Sequence, residues 1–151
     1  KLCKGKVPPI HPDLLDEEDN AILQSVKDSK AKITELLEQY KFRDAQFEVI
    51  NLARIGNQYM QKKEPWIVAK NLATDPTAQA KIDNCMHACL QLCANLAILV
   101  NPFLPFTAKK MCYLMKVVDK GIFHIAYQKR FYRHYTRSKT VKNTLIQRWL
   151  P

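Results

Sequence analysis

The chain has 151 residues, of which 47% are hydrophobic and 25% are charged, the composition of one globular domain. Its formal net charge of +10 indicates an anionic partner such as nucleic acid, although the sign alone does not select one. Only three glycines are present, and neither GxGxxG nor the GxxxxGK loop occurs, which excludes the nucleotide-binding enzymes built on those loops.

Hydropathy and cysteine content bear on where the protein resides. The longest apolar run, residues 92–100, is interrupted by Asn95 and is far shorter than the roughly 20 residues that span a bilayer. The five cysteines form no CxxC pair, and three lie within one apolar segment, which favours a reducing compartment. We therefore predict a soluble, cytoplasmic protein that makes no membrane contact.

Two long amphipathic segments are predicted to form helices after a proline-rich start. Residues 1–12 contain three prolines and are expected to be extended, with no helix of their own. From about Asp13 to Tyr40, acids in the first turn and apolar residues along one face predict the first helix. Apolar residues at three- and four-residue spacing predict a second helix from about Phe42, which Pro65 ends.

Three more helices are predicted before the C-terminal segment. Proline is favoured in a first turn, so Pro65-Trp66 opens a short helix over residues 67–72, which the turn-forming residues 74–77 end. The helix over residues 78–100 is nearly apolar all round in its second half, which is typical of a central bundle helix. Residues 106–118 are amphipathic again. Since no period-two strand is visible, the sequence predicts an all-α antiparallel helical bundle.

The C-terminal segment, residues 119–151, forms a separate basic and aromatic tail. Residues 117–151 carry eight lysines and arginines against one acid, and aromatic residues at every fourth position predict a helix over residues 122–136. Arg130, Arg133 and Arg137 alternate with aromatic rings, a pattern suited to an RNA backbone and unpaired bases. An aromatic face packed on the bundle, with solvated cations, fits the same pattern, so both interpretations stay open.

The candidate reactive residues do not form an active site. Cys85, Cys89 and Cys93 share a helix face and could supply half of a zinc site, but no second pair stands at metal-ligand spacing. Free cysteines in apolar helices usually act as small buried hydrophobic residues. The four histidines are scattered, and no nucleophile motif is visible. We therefore expect neither a metal site nor catalytic residues in this chain.

The most informative stretch surrounds Trp66. This tryptophan follows Lys62, Lys63 and Pro65 at a predicted helix entrance. There its ring can stack on an unpaired base, and the first-turn N–H groups can meet phosphates. A tryptophan that closes the end of the bundle is the more ordinary interpretation of the same pattern.

A family resemblance adds weight to the first interpretation. It rests on two elements, one at the end of the second predicted helix and one after the central helix, which together supply Gly56, Asn57, Tyr59, Pro65, Trp66, Pro102, Phe103 and Pro105. In this arrangement the sequence closely resembles the anticodon-binding domain of methionyl-tRNA synthetases. The resemblance covers about residues 1–118, including a loop at residues 5–8 with the sequence GKVP. Residues 119–151 match no part of the pattern.

The resemblance implies an all-α bundle of the class I aminoacyl-tRNA synthetase anticodon-binding type, which binds the anticodon stem-loop of methionine tRNA. In the family, the tryptophan after the proline stacks on the first anticodon base, the cytosine of CAU. That role falls here to Trp66, with Pro65 shaping its approach. Asn57 matches the motif and is expected to hold the turn, and Lys62 and Lys63 complete the predicted anticodon-binding set.

The same resemblance implies what the chain does not do alone. The family's other base-reading asparagine and arginine precede the GKVP-like loop, and the class I nucleotide-binding motifs are absent from this sequence. The chain is therefore expected to be a non-catalytic, cofactor-free part of a methionine–tRNA ligase whose catalytic domain uses ATP with Mg²⁺. Its expected partners are methionine tRNA and that catalytic domain.

Two other functions fit parts of the sequence. The anticodon-binding domain of another class I synthetase, for isoleucine, valine, leucine or cysteine, shares the helical architecture, although the element around Trp66 argues against it. A helical protein-interaction module whose basic tail docks acidic partners fits the charge distribution.

Overall fold

Five α-helices make up the described part of the chain. A computed structural model describes Cys3, residues 5–72 and residues 74–117. The helices are, in chain order, α1 (Glu17–Glu38), α2 (Phe42–Lys63), α3 (Pro65–Val68), α4 (Ala78–Leu99) and α5 (Pro105–Leu114), with 3-10 turns at Pro12–Leu14 and Ala69–Asn71. No strand occurs among these residues. The predicted all-α bundle is confirmed, whereas the helix predicted over residues 122–136 and the rest of the tail lie outside the described residues.

The start of α1 differs from the prediction, which placed it at about Asp13. Asp16 caps the helix instead, since its Oδ1 accepts a hydrogen bond from the Asp19 N–H at 2.9 Å. In return, Asp19 Oδ2 accepts a hydrogen bond from the Asp16 N–H at 3.2 Å. This reciprocal capping box pairs two N–H groups that a helix end leaves open, so α1 begins at Glu17.

Apolar side chains at helical spacing hold α1 against α2. Ile22, Val26 and Ile33 of α1, with Val49 and Leu52 of α2, are each at most 3% exposed. Burying one such side chain contributes about 1.5–3 kcal/mol. The core therefore lies along the faces that the sequence periodicity predicted.

The nearly apolar α4 is the central helix, as predicted. It packs against α1, α2, α3 and α5. It meets α2 at Gly56, where a side-chain Cβ would lie 2.9 Å from Leu92 Cδ2, so the glycine leaves room for that leucine. Among the described residues, α4 is the one helix long and apolar enough to cross a membrane, a criterion that the core helix of a soluble bundle also meets. From the sequence we expected no membrane-spanning segment, because we considered only the longest apolar run, residues 92–100.

Two polar side chains of α4 fix the segment that precedes α1. The buried Asn84 accepts a hydrogen bond from the His11 N–H at 2.7 Å and donates one to the His11 carbonyl at 3.0 Å. His87 Nδ1 lies 2.9 Å from the carbonyl oxygen of Pro8. These contacts lead the chain across α4 to the start of α1.

Candidate nucleic-acid interface

A tight turn joins α2 to α3. Glu64 adopts the left-handed conformation, with φ 42° and ψ 55°, and the buried Pro65 begins α3. The Glu64 carbonyl accepts hydrogen bonds from the N–H groups of Ile67 at 2.8 Å and Val68 at 3.2 Å. The sequence had suggested that the first-turn N–H groups could bind a phosphate. These two N–H groups are already bonded within the turn and are not available for it. The helix also begins at Pro65 rather than at Ile67, and it continues past Val68 as a 3-10 turn.

Trp66 is half-exposed on this turn. Its residue exposure is 48%. Ile67, which follows it, is 42% exposed, and Leu72, after the next 3-10 turn, is 44% exposed. A tryptophan that closed the end of the bundle would be mostly buried. The arrangement instead leaves part of the indole open to a ligand while its backbone is held by a buried proline.

The two neighbouring lysines of the predicted set both pair with acids at the start of α1, but they differ in exposure. The Lys62 side chain is 70% exposed and pairs with Glu18 Oε1 at 2.6 Å on the surface. The Lys63 side chain is only 15% exposed and pairs with Asp19 Oδ1 at 2.8 Å and with Asp16 Oδ2. Because an exposed ion pair is worth about 0–1 kcal/mol, Lys62 can exchange its partner for a phosphate, whereas Lys63 is committed to internal bonds.

Asp16, Asp19, Tyr59 and Lys63 form a polar cluster between α1 and α2, which we call the Asp19 cluster. Tyr59 Oη donates a hydrogen bond to Asp19 Oδ1 at 2.6 Å. Lys63 Nζ lies 5.7 Å from the centre of the Tyr59 ring. Asp19 is 3% exposed and Tyr59 7% exposed, so water has little access to these bonds.

Two members of the cluster, Asp16 and Lys63, keep their charges over a wide pH range. Partial burial opposes the charge on Asp16, but the hydrogen bonds from Lys63 and the Asp19 N–H hold its pKa below the ordinary value. Burial likewise opposes the charge on Lys63, yet Asp16 and Asp19 raise its pKa above the ordinary value. The ion pair between Asp16 and Lys63 is therefore lost only as pH falls through the lowered pKa of Asp16 or rises through the raised pKa of Lys63. Burial, then the bond to Asp19, raises the pKa of Tyr59, which stays a donor.

Asn57 lies inside α2 rather than at the turn. Its side chain is exposed, and the helix continues from it to Lys63 before the chain turns. The role of holding the turn that we expected for Asn57 stays a prediction, since the described contacts at the turn are those of the Glu64 carbonyl and the buried Pro65. The exposed Asn57 side chain is also open to a ligand from the outer side of α2.

The cysteine row of α4 is largely internal. Cys85 is buried, and Cys89 and Cys93 are partly buried. The hydrogen bond from Cys89 is the main reason that the pKa of Cys85 is lowered, and the same bond, then burial, raises the pKa of Cys89. No group of three or more histidines, cysteines and acids that could hold a metal ion occurs among the described residues.

Sequence reasoning missed Asp16 and Asp19 as parts of this region, and it named Tyr59 only as a residue of the family pattern. Two local signals were present, since Asp16 and Asp19 have the spacing of a capping box and Tyr59 and Lys63 lie one helical turn apart. The bond between Tyr59 and Asp19 joins residues 40 positions apart, and no local pattern encodes it. Arg130, Arg133 and Arg137 lie outside the described residues.

Comparison with known proteins relates the chain to one family. The profile described as the anticodon binding domain of methionyl tRNA ligase matches residues 11–132, which includes part of the predicted tail. The methionine–tRNA ligase of Parabacteroides distasonis is 41% identical over 121 residues, 80% of this chain and 17% of that ligase. The ligase of Phocaeicola vulgatus is 44% identical over 111 residues, 74% of this chain and 15% of that ligase. The chain thus spans about a sixth of the length of the ligases it matches.

Solved structures share the fold. Methionyl-tRNA synthetase of Mycobacterium tuberculosis in its free state superimposes with a TM-score of 0.68 at 19% identity, over 74% of this chain and 22% of that one. The same enzyme bound to methionyl-adenylate superimposes with a TM-score of 0.67 over 74% of this chain and 21% of that one. At this identity the likeness concerns the helical architecture alone.

Proposed function

Because the chain belongs to the family of methionyl-tRNA ligase anticodon-binding domains, we propose that it binds the anticodon stem-loop of methionine tRNA and reads the CAU anticodon. One observation carries the proposal beyond family membership: Trp66 is 48% exposed beside the buried Pro65. An indole that is half-open on a fixed backbone offers a face on which an unpaired base can stack. The chain acts by recognition and performs no chemistry itself.

The predicted site residues take separate roles in this proposal. Trp66 stacks on the first anticodon base, and Pro65 fixes the direction from which the ring approaches. Lys62 exchanges its surface pair with Glu18 for a backbone phosphate when RNA binds. Asn57 meets the loop from the exposed side of α2. Lys63 contributes indirectly, through its bonds to Asp16 and Asp19.

In a complete class I ligase, we place ATP and Mg²⁺ in the catalytic domain, which lies outside the region matched by this chain. One relative, the Mycobacterium tuberculosis enzyme, has been solved with methionyl-adenylate bound. Holding the correct anticodon presents the acceptor end of the tRNA to that domain. A tRNA with another anticodon loses stacking and base-edge contacts, which lowers its kcat/KM. We expect the complete ligase to be soluble and cytoplasmic.

Competition among RNA stem-loops that differ only in the anticodon tests the proposal. A fluorescently labelled CAU loop is bound to the 151-residue chain and displaced by unlabelled loops with CAU, with the isoleucine anticodon GAU or with the valine anticodon UAC. We expect CAU to displace it at the lowest concentration, by a factor of about 5–150, because the other anticodons lose base-edge hydrogen bonds worth about 1–3 kcal/mol against a wrong base. Anisotropy of the label reports the displacement.

Each other outcome of the competition contradicts the proposal in its own way. Stronger displacement by GAU or UAC would assign the chain to another class I synthetase. Equal displacement by all loops would mean that the chain binds RNA without reading the anticodon. Displacement by an acidic peptide of equal charge, without preference among RNAs, would favour a protein-interaction module.

We further propose that Arg130, Arg133 and Arg137 bind RNA phosphates. Replacing all three by glutamine should then flatten the dependence of log affinity on log salt by about two, since each phosphate contact contributes about 0.7 to the slope for single strands. The matched control replaces Lys139, Lys142 and Arg148, which removes the same charge from the same tail. Equal slopes in the two triple variants would show a general charge effect and reject these three contacts. Affinity is measured from about 50 to 300 mM salt, a range wide enough to define the slope.

A further inference from the structure

The Asp19 cluster joins α1 to α2 at a cost in desolvation free energy. Removing ions from water costs several kcal/mol per ion, and apolar side chains of similar size would join two helices without that cost. What hydrogen-bonded charges add is direction, because each bond is strong only within a narrow range of angles. Asp19 receives three such bonds, from Tyr59 Oη and Lys63 Nζ on Oδ1 and from the Asp16 N–H on Oδ2.

The cluster lies directly before the turn that carries Trp66. Lys63 is the last residue of α2, and Tyr59 is one helical turn earlier, so both side chains fix the last turn of α2 against the first turn of α1. Two constrained residues follow: Glu64 is left-handed, and Pro65 has a ring-locked φ and is buried. Backbone hydrogen bonds from the Glu64 N–H to the Met60 carbonyl, and from the Ile67 and Val68 N–H groups to the Glu64 carbonyl, tie this turn to α2. A tilt of the last turn of α2 is therefore passed on to Trp66.

We infer that Tyr59 and Lys63 are positioning residues that, through Asp19, set the angle at which the Trp66 indole meets the first anticodon base. The consequence for RNA rests on the proposed function, whereas the orientation of Trp66 is a property of the free chain. If the cluster is broken, Trp66 remains exposed but samples more orientations. Fixing the Trp66 ring in one orientation on binding then lowers the affinity. Only RNA loops that carry the first anticodon base are weakened, because only they stack on this ring.

Five variants separate positioning from general stability. Tyr59→Phe keeps the ring and removes the hydroxyl, Lys63→Met removes the charge, and Lys63→Arg retains it. Lys32→Met is the matched control, because it breaks another ion pair between α1 and α2, that of Lys32 and Glu48 at 2.8 Å. Val49→Ala destabilises the core away from the cluster, where Val49 is 2% exposed. All variants are studied under conditions in which circular dichroism shows unchanged helix content. If Lys63→Met does not fold, the milder Tyr59→Phe substitution alone tests the inference.

The first measurement needs no RNA. Trp66 fluorescence anisotropy and quenching by acrylamide are recorded in a Trp149→Phe background, which leaves Trp66 as the sole tryptophan. We expect lower anisotropy and stronger quenching in Tyr59→Phe and Lys63→Met, and wild-type values in Lys63→Arg, Lys32→Met and Val49→Ala. Wild-type fluorescence in folded Tyr59→Phe and Lys63→Met, or the same change in Val49→Ala, would overturn the inference.

The second measurement is the preference for the CAU loop over the same loop with the first anticodon base removed. We expect Tyr59→Phe and Lys63→Met to reduce this preference about fivefold, the factor that corresponds to one hydrogen bond, with Lys63→Arg restoring it. A preference that survives in both variants but is lost in Trp66→Ala would overturn positioning and leave the proposed function standing. A wild-type chain with no preference would reject the proposed function, and the fluorescence result would then decide positioning alone.

Discussion

Replacing Leu52 by alanine is expected to lower the free energy of unfolding by about 2–5 kcal/mol. Leu52 is 0% exposed and belongs to the apolar core shared by α1, α2 and α4. The truncation removes buried methyl groups and leaves a cavity. The surrounding helices α1, α2 and α4 are packed together and cannot move enough to fill it. Since domains are usually stable by only about 5–15 kcal/mol, the loss should be evident in a urea titration followed by circular dichroism at 222 nm.

Leu114→Ala is the matched control for this core substitution. The chemical change is the same, but Leu114 is 71% exposed on α5, so the free energy of unfolding should change by no more than about 0.5 kcal/mol. Similar losses for the two variants would contradict the placement of the core along the inner face of α2.

Replacing Trp66 by alanine is expected to weaken binding of the CAU stem-loop by about 1–3 kcal/mol, or about 5- to 150-fold. The ring that supplies the stacking face is removed, while Lys62 and the turn at Glu64 and Pro65 are retained. Trp66→Phe keeps a smaller aromatic face and should keep part of the affinity. Anisotropy titration with the labelled loop measures all three proteins.

Unfolding of the same Trp66 variants distinguishes a base-stacking residue from a packing residue. A fully buried tryptophan costs about 3–5 kcal/mol on truncation to alanine. Because Trp66 is 48% exposed, its truncation should cost clearly less. A loss of that full size with an unchanged preference for CAU would mean that Trp66 closes the bundle and does not read RNA.

The helices could be predicted from the sequence because their signals are local. Apolar spacing of three and four residues marked α1 and α2, and the absence of a polar face marked α4 as the central helix. Proline placed the breaks correctly at Pro65 and before α5. The start of α1 was missed by about four residues, because a capping box at Asp16 outweighs the acidic pattern that begins at Asp13.

The exposure and ion-pair partners of Lys62 and Lys63 could not be predicted from the sequence. The two lysines are adjacent and chemically identical, and successive helical residues point about 100° apart. Which of them turns inward depends on where α1 places Asp16 and Asp19, more than 40 residues earlier in the chain. The sequence therefore indicates a basic end of α2, but only the packed helices separate the lysine that can meet RNA from the one that holds the turn.

The exposure of Trp66 was likewise undecided by pattern alone. Proline and tryptophan at a helix entrance suit either a buried plug or an open stacking face. The left-handed Glu64, a conformation that costs a residue with a side chain about 1–2 kcal/mol, turns the chain so that Pro65 is buried and Trp66 faces partly outward. No residue type in the sequence marks that conformation, since glycine, its usual occupant, is absent there.

A thermodynamic cycle that pairs Trp66→Ala with removal of the first anticodon base tests the central claim most directly. Four affinities are measured, for the wild-type chain and the variant, each with the CAU loop and with the loop abasic at its first anticodon position. If Trp66 stacks on that base, removing the base weakens binding to the wild-type chain but barely affects the variant, which gives a coupling energy of about 1 kcal/mol or more. Equal losses in both proteins, with a coupling energy near zero, would contradict the assignment of Trp66 as the residue that reads the anticodon.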